Sequence, residues 1–192
     1  MRHLVIFAKE PVPGRVKTRL ARGIGTVAAA WWFRRQALGL VRRLGRDPRW
    51  RTWIAVSPDA AGMASRLWPA HLPRIPQGGG DLGARMARAF RALPPGPACI
   101  AGADIPGIGP RHIAEAFAAL GRAEAVIGPA TDGGYWLIGL RRGRAAPAGL
   151  FRDVRWSTAH ARTDTEASLA PLSIAHAATL SDVDTEADLN CR

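Results

Sequence analysis

An α/β fold built on a largely parallel sheet is what the 192-residue sequence predicts. Two observations carry this expectation. Strand-length apolar runs alternate along the chain with segments of helical apolar spacing, the pattern of successive βα units. Gly and Pro clusters at 76–80 and 94–97 punctuate these elements and are too short to serve as linkers. The length fits one domain over 1–192 with a full core, and no internal repeat is visible.

The elements follow in order. "HLVIFA" (3–8) reads as a first strand. "VKTRLA" (16–21) reads as a helix leaving the loop that follows. "TVAAAWWFRRQALGLVRRLG" (26–45) has apolar residues at helical spacing, with Arg34, Arg35, Arg42 and Arg43 on another face. "TWIAVS" (52–57) is a strand, and "ASRLWPAH" (64–71) closes a short helix. "DLGARMARAFRAL" (81–93) and "RHIAEAFAALGRA" (111–123) are helices around the strand "ACIAG" (98–102). "AVIGP" (125–129), "YWLIGL" (135–140) and "SIAHAATL" (173–180) complete the strands, with short helices at "TEASLA" (165–170) and "TEADL" (185–189). Parallel sheets bind ligands beyond the carboxyl ends of their strands, which directs attention to the segments after residues 8, 57, 102 and 129.

Composition bounds the function. Apolar content of 47% and charged content of 22% are globular values and argue against disorder. No apolar run approaches the roughly 20 residues of a membrane span. The N-terminal stretch is strand-like and lacks a signal-peptide pattern. Cys99 sits in a strand and Cys191 near the end, without metal-ligand spacing, so a reduced cytoplasmic protein is expected. The net charge of +12 raises a nucleic-acid reading. Arginines on every predicted helix, rather than in one block, favour a solvated basic surface instead.

The loop "AKEPVPGRVKTRLA" (8–21) concentrates chemistry. It contains Lys9, Arg15, Lys17 and Arg19, and the chain's only two lysines are among them. Cations beside free N–H groups at a helix start suit a polyphosphate. Neither GxxxxGK[ST] nor GxGxxG is present. Lysine is a compact point charge and arginine a fixed fork, so Lys17 is expected to touch a phosphate in a way Arg cannot. A solvated loop that kept its lysines by chance is the alternative.

Acidic partners lie further on. "ACIAGADIPGI" (98–108) projects Asp104 from a strand end, with Pro106 barring further ladder bonds. A carboxylate there suits a hard divalent cation, although an Asp that merely forms a turn accounts for it too. In "LSDVDTEADL" (180–189), Asp182 and Asp184 share a face in extended chain, while Thr185 and Asp188 suit a helix cap. In "IPQGGGDLGARM" (75–86), the glycines permit close approach of a planar ligand and Gln77 can read a base edge. An ordinary glycine loop with Asp81 as N-cap is equally consistent. "GPATDGGYWLIGL" (128–140) places Asp132 and Gly133 at a hairpin-like turn. Tyr135 and Trp136 beside it, and Trp156 of "RWST", are candidate walls of an acceptor pocket, with burial in the core as the alternative for Trp156.

Taken in order, "FAKEPVPGRVKTRLA", "GDLGARM", "GADIPGI", "GPATDGGYWLIGL", "RWST" and "DVDTEADL" resemble the DUF2064 glycosyltransferase-like proteins, also called selenodomain-associated or arsenosugar-biosynthesis-type. The resemblance runs from residue 5 to 189. That family is similar to GT-A enzymes: nucleotide-diphospho-sugar transferases, molybdenum-cofactor nucleotidyltransferases and phospholactate guanylyltransferases. The resemblance implies a Rossmann-like GT-A fold, a three-layer α/β/α sandwich with a mostly parallel mixed sheet. It implies Mg²⁺ or Mn²⁺ held by Asp104 and Asp184, with Asp182 as the near alternative. It implies a nucleotide site on Arg15, Lys17, Arg19, Gln77 and Gly83. It implies further that Lys17, Asp104 and Asp132 carry the chemistry and that an acceptor pocket lies at Asp132, Gly133, Tyr135 and Trp156. The Asp-x-Asp of many glycosyltransferases is reduced here to Asp104 followed by Ile105. The implied partners are a nucleotide or nucleotide-sugar donor and a small acceptor, without nucleic acid or membrane. Glycosyl and nucleotidyl transfer both fit such a site, since each needs developing phosphate charge stabilised. A nucleotide sensor or nucleic-acid binder is the non-enzymatic alternative.

Overall fold

The computed structural model describes residues 1–190, so Cys191 lies outside the described residues. Seven strands form one sheet in the order β3-β2-β1-β4-β6-β5-β7. They are β1 (His3–Lys9), β2 (Arg51–Ser57), β3 (Arg74–Pro76), β4 (Ala98–Gly102), β5 (Ala125–Pro129), β6 (Tyr135–Leu140) and β7 (Ile174–His176). Only β6 runs antiparallel to its neighbours; every other pair is parallel. The sheet is therefore mixed and mostly parallel, as the alternation predicts.

Period-two alternation sorts each strand's side chains between two helical layers. Leu4, Ile6 and Ala8 of β1 share one core with Phe33, Leu40 and Leu44 of α2 (Thr26–Gly45) and Ile113 and Phe117 of α5 (Pro110–Ala119). Val5, Ile100, Ile127 and Ile138 face the other way, onto Met86 and Phe90 of α4 (Leu82–Ala92) and Leu169 after α6 (Ala161–Ser168). Residues buried on both faces are what a central parallel sheet requires. Among the described residues, no helix is long and apolar enough to cross a membrane.

Several expectations need correction. "VKTRLA" is not a helix. Residues 12–20 are mostly turns, and only Ala21–Ile24 (α1) is helical. Gly14 has φ +76° and Lys17 φ +45°, and a left-handed residue cannot continue a right-handed helix. "ASRLWPAH" is irregular; the short helix lies upstream as α3 (Asp59–Ala64) and ends where Ser65 turns extended. β3 is not among the expected strands, because its three residues, Arg74–Pro76, present no alternation to detect. "SIAHAATL" pairs only over β7, with one further bridge from Leu180 to Ala130. The last helix, α7 (Glu186–Asn190), begins as expected, with Thr185 N–H and Oγ1 donating to Asp188 at 2.7 and 2.8 Å.

Candidate functional site: a lysine between two carboxylates

The order of the strands reverses between β1, which is followed by β2, and β4, which begins the other half of the sheet. Crevices form at the carboxyl ends of strands around such a reversal. The first loop and the turn carrying Asp104 flank it. The loop leaves β1 through Glu10, whose N–H donates to Ser57 O at 2.8 Å. The Glu10 carboxylate accepts from Trp68 Nε1 at 2.6 Å and Ser65 Oγ at 3.0 Å. Val16 and Leu20 are buried, which leaves Arg15, Thr18 and Arg19 outward. The left-handed backbone at Lys17 turns its side chain in, and that side chain is only 5% exposed.

Its ammonium meets two acids from distant parts of the chain. Lys17 Nζ is 3.1 Å from Asp104 Oδ2 and donates to Asp184 Oδ1 at 3.0 Å. Arg19 Nη1 donates to the other Asp184 oxygen at 3.0 Å. The ammonium also lies over Trp32, with Nζ 6.0 Å from the ring centre. Buried Ile105 and Ile108 pin the turn that holds Asp104. Asp184 is delivered by Val183, which is fully buried against Leu20 and Ala29, so both flanking aspartates stay outside that cluster. Asp188 accepts from the Asp184 N–H at 3.0 Å and fixes the turn beyond it.

The electrostatics follow from this geometry. Burial alone pulls the Lys17 pKa down, but Asp104 and Asp184 more than offset it, and the net shift is upward. Burial pushes Asp184 up, yet its bonds to Lys17 and Arg19 hold it below its ordinary value. Asp182 has no such partner. Its burial first, then the charge of Asp184, and more weakly those of Asp132 and Asp104, push it up to about 6 against the pull of Lys17. Four carboxylates therefore share this edge. Beside them a cleft of about 220 Å³ is lined by Lys9, Arg15, Lys17 and Asp104, with Phe7 and Phe33 among its apolar walls. Lys9, the chain's other lysine, borders the same cleft.

Other candidates lie elsewhere. Gln77 is buried, and its amide nitrogen donates to Ala8 O and Ala55 O at 3.3 and 2.9 Å. Tied into the sheet end, it does not present that amide to a base. Gly83 is buried in α4, where a Cβ would come within 2.6 Å of Phe151 and 2.8 Å of Trp156. It seats the 151–156 segment rather than lining a nucleotide cleft. Gly133 (φ +86°) is pressed against Ala159, whose carbonyl oxygen a Cβ would meet at 2.4 Å. Tyr135 packs towards the interior, its hydroxyl accepting from Thr165 Oγ1 at 3.3 Å, and burial drives its pKa upward. Trp136 is buried in the core, its indole N–H donating to Ala178 O at 2.9 Å, so it walls no pocket. Trp156 packs on Phe151 with its indole N–H buried and unpartnered. These residues join the β5–β6 hairpin and α4 to the 151–165 segment, so the expected acceptor pocket is largely packed contact. Asp132 alone of that group is exposed, at the hairpin tip, where it accepts from Gly134 N–H at 2.9 Å. Asp81 caps α4 through Ala84 N–H at 2.8 Å, which is the ordinary reading of that aspartate.

Two contributors escaped the sequence reading. Trp32 was visible only as part of an amphipathic helix. Glu10 carried a signal, being the only acid in a basic loop.

The match with known proteins is consistent with this geometry. The profile of a family described as an uncharacterized protein conserved in bacteria (DUF2064) matches residues 40–158. The chain belongs to the DUF2064 family. The matched stretch contains Asp104 and Asp132, while Lys17 and Asp184 lie outside it. No curated protein matches the chain. Among solved structures, a candidate nucleotide-diphospho-sugar transferase from Desulfovibrio desulfuricans G20 superposes with TM-score 0.85 at 30% identity, covering 98% of this chain and 84% of that one. The CMP:2-keto-3-deoxy-manno-octonic acid synthetase, solved with CTP, has TM-score 0.60 at 12% identity, with 99% and 95% covered. Rv0371c from Mycobacterium tuberculosis H37Rv, solved with manganese, has TM-score 0.55 at 16% identity, with 99% and 96% covered. The last two likenesses concern the fold, which these proteins share with this chain.

Proposed function

We propose that this chain is a divalent-metal-dependent transferase acting on a nucleotide-activated substrate, with glycosyl transfer from a nucleotide-diphospho-sugar to a small acceptor as the leading reaction. The supporting observation is the convergence of Asp104 and Asp184 on one buried ammonium, beside a cleft walled by Arg15 and Lys17. The 30%-identical relative, a candidate nucleotide-diphospho-sugar transferase, supports the reaction class.

The donor set fits Mg²⁺ or Mn²⁺. Two hard carboxylate oxygens lie within 3.1 Å of one nitrogen, and a cation already stands between them. Among the described residues no three His, Cys, Asp or Glu side chains are gathered for a metal. Two carboxylates with substrate phosphates are a usual Mg²⁺ arrangement. Asp104 and Asp184 would hold the ion, with Asp182 adjacent. When bound, such an ion supplies Lewis-acid stabilisation of phosphate charge.

The chain's own residues do the rest. Arg15, which lines the cleft, and Arg19, beside Asp184, offer guanidinium nitrogens to phosphate oxygens. Lys17 offers a point charge to the departing nucleoside diphosphate. Asp132, exposed at the hairpin tip, is placed to accept a proton from an acceptor hydroxyl. Nucleotidyl transfer uses the same groups on the α-phosphate, and the fold shared with the CMP-sugar synthetase favours keeping it as the second reading.

The test is product analysis. The protein is incubated with Mn²⁺, a panel of nucleotide sugars and nucleoside triphosphates, and pooled small alcohols and phosphorylated acids as acceptors. Release of nucleoside diphosphate from a nucleotide sugar, lost in Asp104→Asn, supports glycosyl transfer. Pyrophosphate release from a triphosphate turns the assignment to nucleotidyl transfer. Neither product from any pair refutes the transferase reading.

A further inference from the structure

The side chains expected to act on opposite partners are bound to each other. Lys17 was read as a phosphate ligand and Asp104 and Asp184 as metal ligands, yet its ammonium occupies the point where those carboxylates converge. Its side chain is 5% exposed, so a phosphate cannot take up the ammonium while it remains there. The surroundings favour this placement. The backbone is left-handed at Lys17, the Trp32 ring faces the ammonium, and Arg19 holds the far oxygen of Asp184.

We infer that Lys17 is an exchangeable counter-cation: it neutralises Asp104 and Asp184 in the metal-free protein and is released towards the cleft when a divalent cation takes those carboxylates. This rests on the metal assignment made above and deepens it. Two acids brought this close need a positive charge at all times, because both oxygens lie within about 3 Å of one nitrogen and would otherwise repel at short range. One ammonium cannot remain at their meeting point while a cation sits there. Displaced, it has a natural destination, since Lys17 also lines the cleft with Lys9 and Arg15. The consequence is thermodynamic. A cation alone must compete with Lys17. A polyphosphate that receives the freed ammonium removes that competition. Metal and polyphosphate therefore tighten one another by the same factor.

The chain's two lysines make the exchange directly readable. Wild-type protein is acetylated briefly with sulfo-NHS acetate and digested, and Lys17 labelling is scored against exposed Lys9 by mass spectrometry. Bound Mn²⁺ is measured on matched samples by electron paramagnetic resonance. Without metal, Lys17 is expected to label at least tenfold more slowly than Lys9, and millimolar Mn²⁺ is expected to close most of that gap. In parallel, Lys17→Met, which keeps an unbranched stem but removes the ammonium, is expected to bind Mn²⁺ at least tenfold more tightly than wild type. Binding of Mn²⁺ to Lys17→Met but not to wild type at millimolar metal also supports the exchange. If wild type binds Mn²⁺, Asp104→Asn does not, and Lys17 stays as protected as before, the exchange is wrong and the metal assignment stands. If neither wild type nor Lys17→Met binds Mn²⁺, both fall. Should Lys17→Met fail to fold, the labelling of wild type decides the matter alone.

Discussion

Replacing Lys17 by glycine and by alanine isolates the backbone strain that aims this side chain inward. At most positions Ala is the more stable of the two, since Gly loses more chain entropy on folding. Lys17 has φ +45°, a region that costs a residue with a Cβ about 1–2 kcal/mol. Both variants delete the same ammonium, so loss of the bonds to Asp104 and Asp184 cancels in the comparison. What remains is the relief of strain in Gly, set against its extra unfolded-state entropy of about 0.4–1 kcal/mol. The balance leaves Lys17→Gly more stable than Lys17→Ala by about 0.5–1 kcal/mol. For a chain of this size that is a Tm difference of roughly 1–4 °C. Urea denaturation of both proteins in EDTA-containing buffer, followed by circular dichroism, measures it. If Lys17→Ala is as stable as Lys17→Gly or more so, the left-handed conformation is not imposed at this position. The account of how the ammonium is turned inward then fails.

Three further outcomes are expected. Lys17→Arg should lose about one to two decades of transfer rate, at about 1.4 kcal/mol per decade, because a guanidinium is broader than the ammonium held between two carboxylates beside Trp32; steady-state kinetics beside Lys9→Arg measures it. Gly133→Ala should destabilise the protein by more than about 2 kcal/mol, since positive φ and overlap with a backbone oxygen act together, and calorimetry reads the fall in Tm. Asp164 accepts from Arg155 at three points, and those bonds hold its pKa far below its ordinary value. Its contribution is complete above the unfolded carboxylate pKa of about 4, and it fades as pH falls from there and on through the depressed folded value. The Tm of wild type and Asp164→Asn should therefore differ at pH 7, and the gap should narrow progressively below pH 4.

What was legible in the sequence was whatever periodicity records. The strand runs and the helices at 26–45, 81–93 and 111–123 all lie within a few residues of their observed bounds, because each buries a stripe or a face. The turns of the first loop were not legible. Its apolar residues, Val16 and Leu20, fall four apart and mimic a helix face, and nothing local announces that Lys17 is left-handed. For the site, Lys17, Asp104 and Asp184 could be nominated as chemically apt residues at strand ends. Their meeting depends on Val183 docking on Leu20 and Ala29, a contact between chain ends that no local pattern reports. Gln77 and Tyr135 stand out by residue type beside glycine-rich turns, and Gly83 through the resemblance alone. Residue type does not distinguish a group facing a ligand from one satisfied by the sheet, as Gln77 is by Ala8 and Ala55.

The central claim is that Asp104, Asp184 and the first loop form one metal-dependent nucleotide site. Isothermal titration of wild type and Asp104→Asn with CTP, GTP, UDP-glucose and GDP-mannose, each with Mn²⁺ and with EDTA, tests it most directly. The account predicts that at least one of these ligands binds wild type with Mn²⁺ at least tenfold more tightly than with EDTA. It also predicts that Asp104→Asn, folded as judged by an unchanged circular dichroism spectrum, loses that difference. Equal affinity with and without metal in wild type, or an undiminished metal effect in Asp104→Asn, would contradict it.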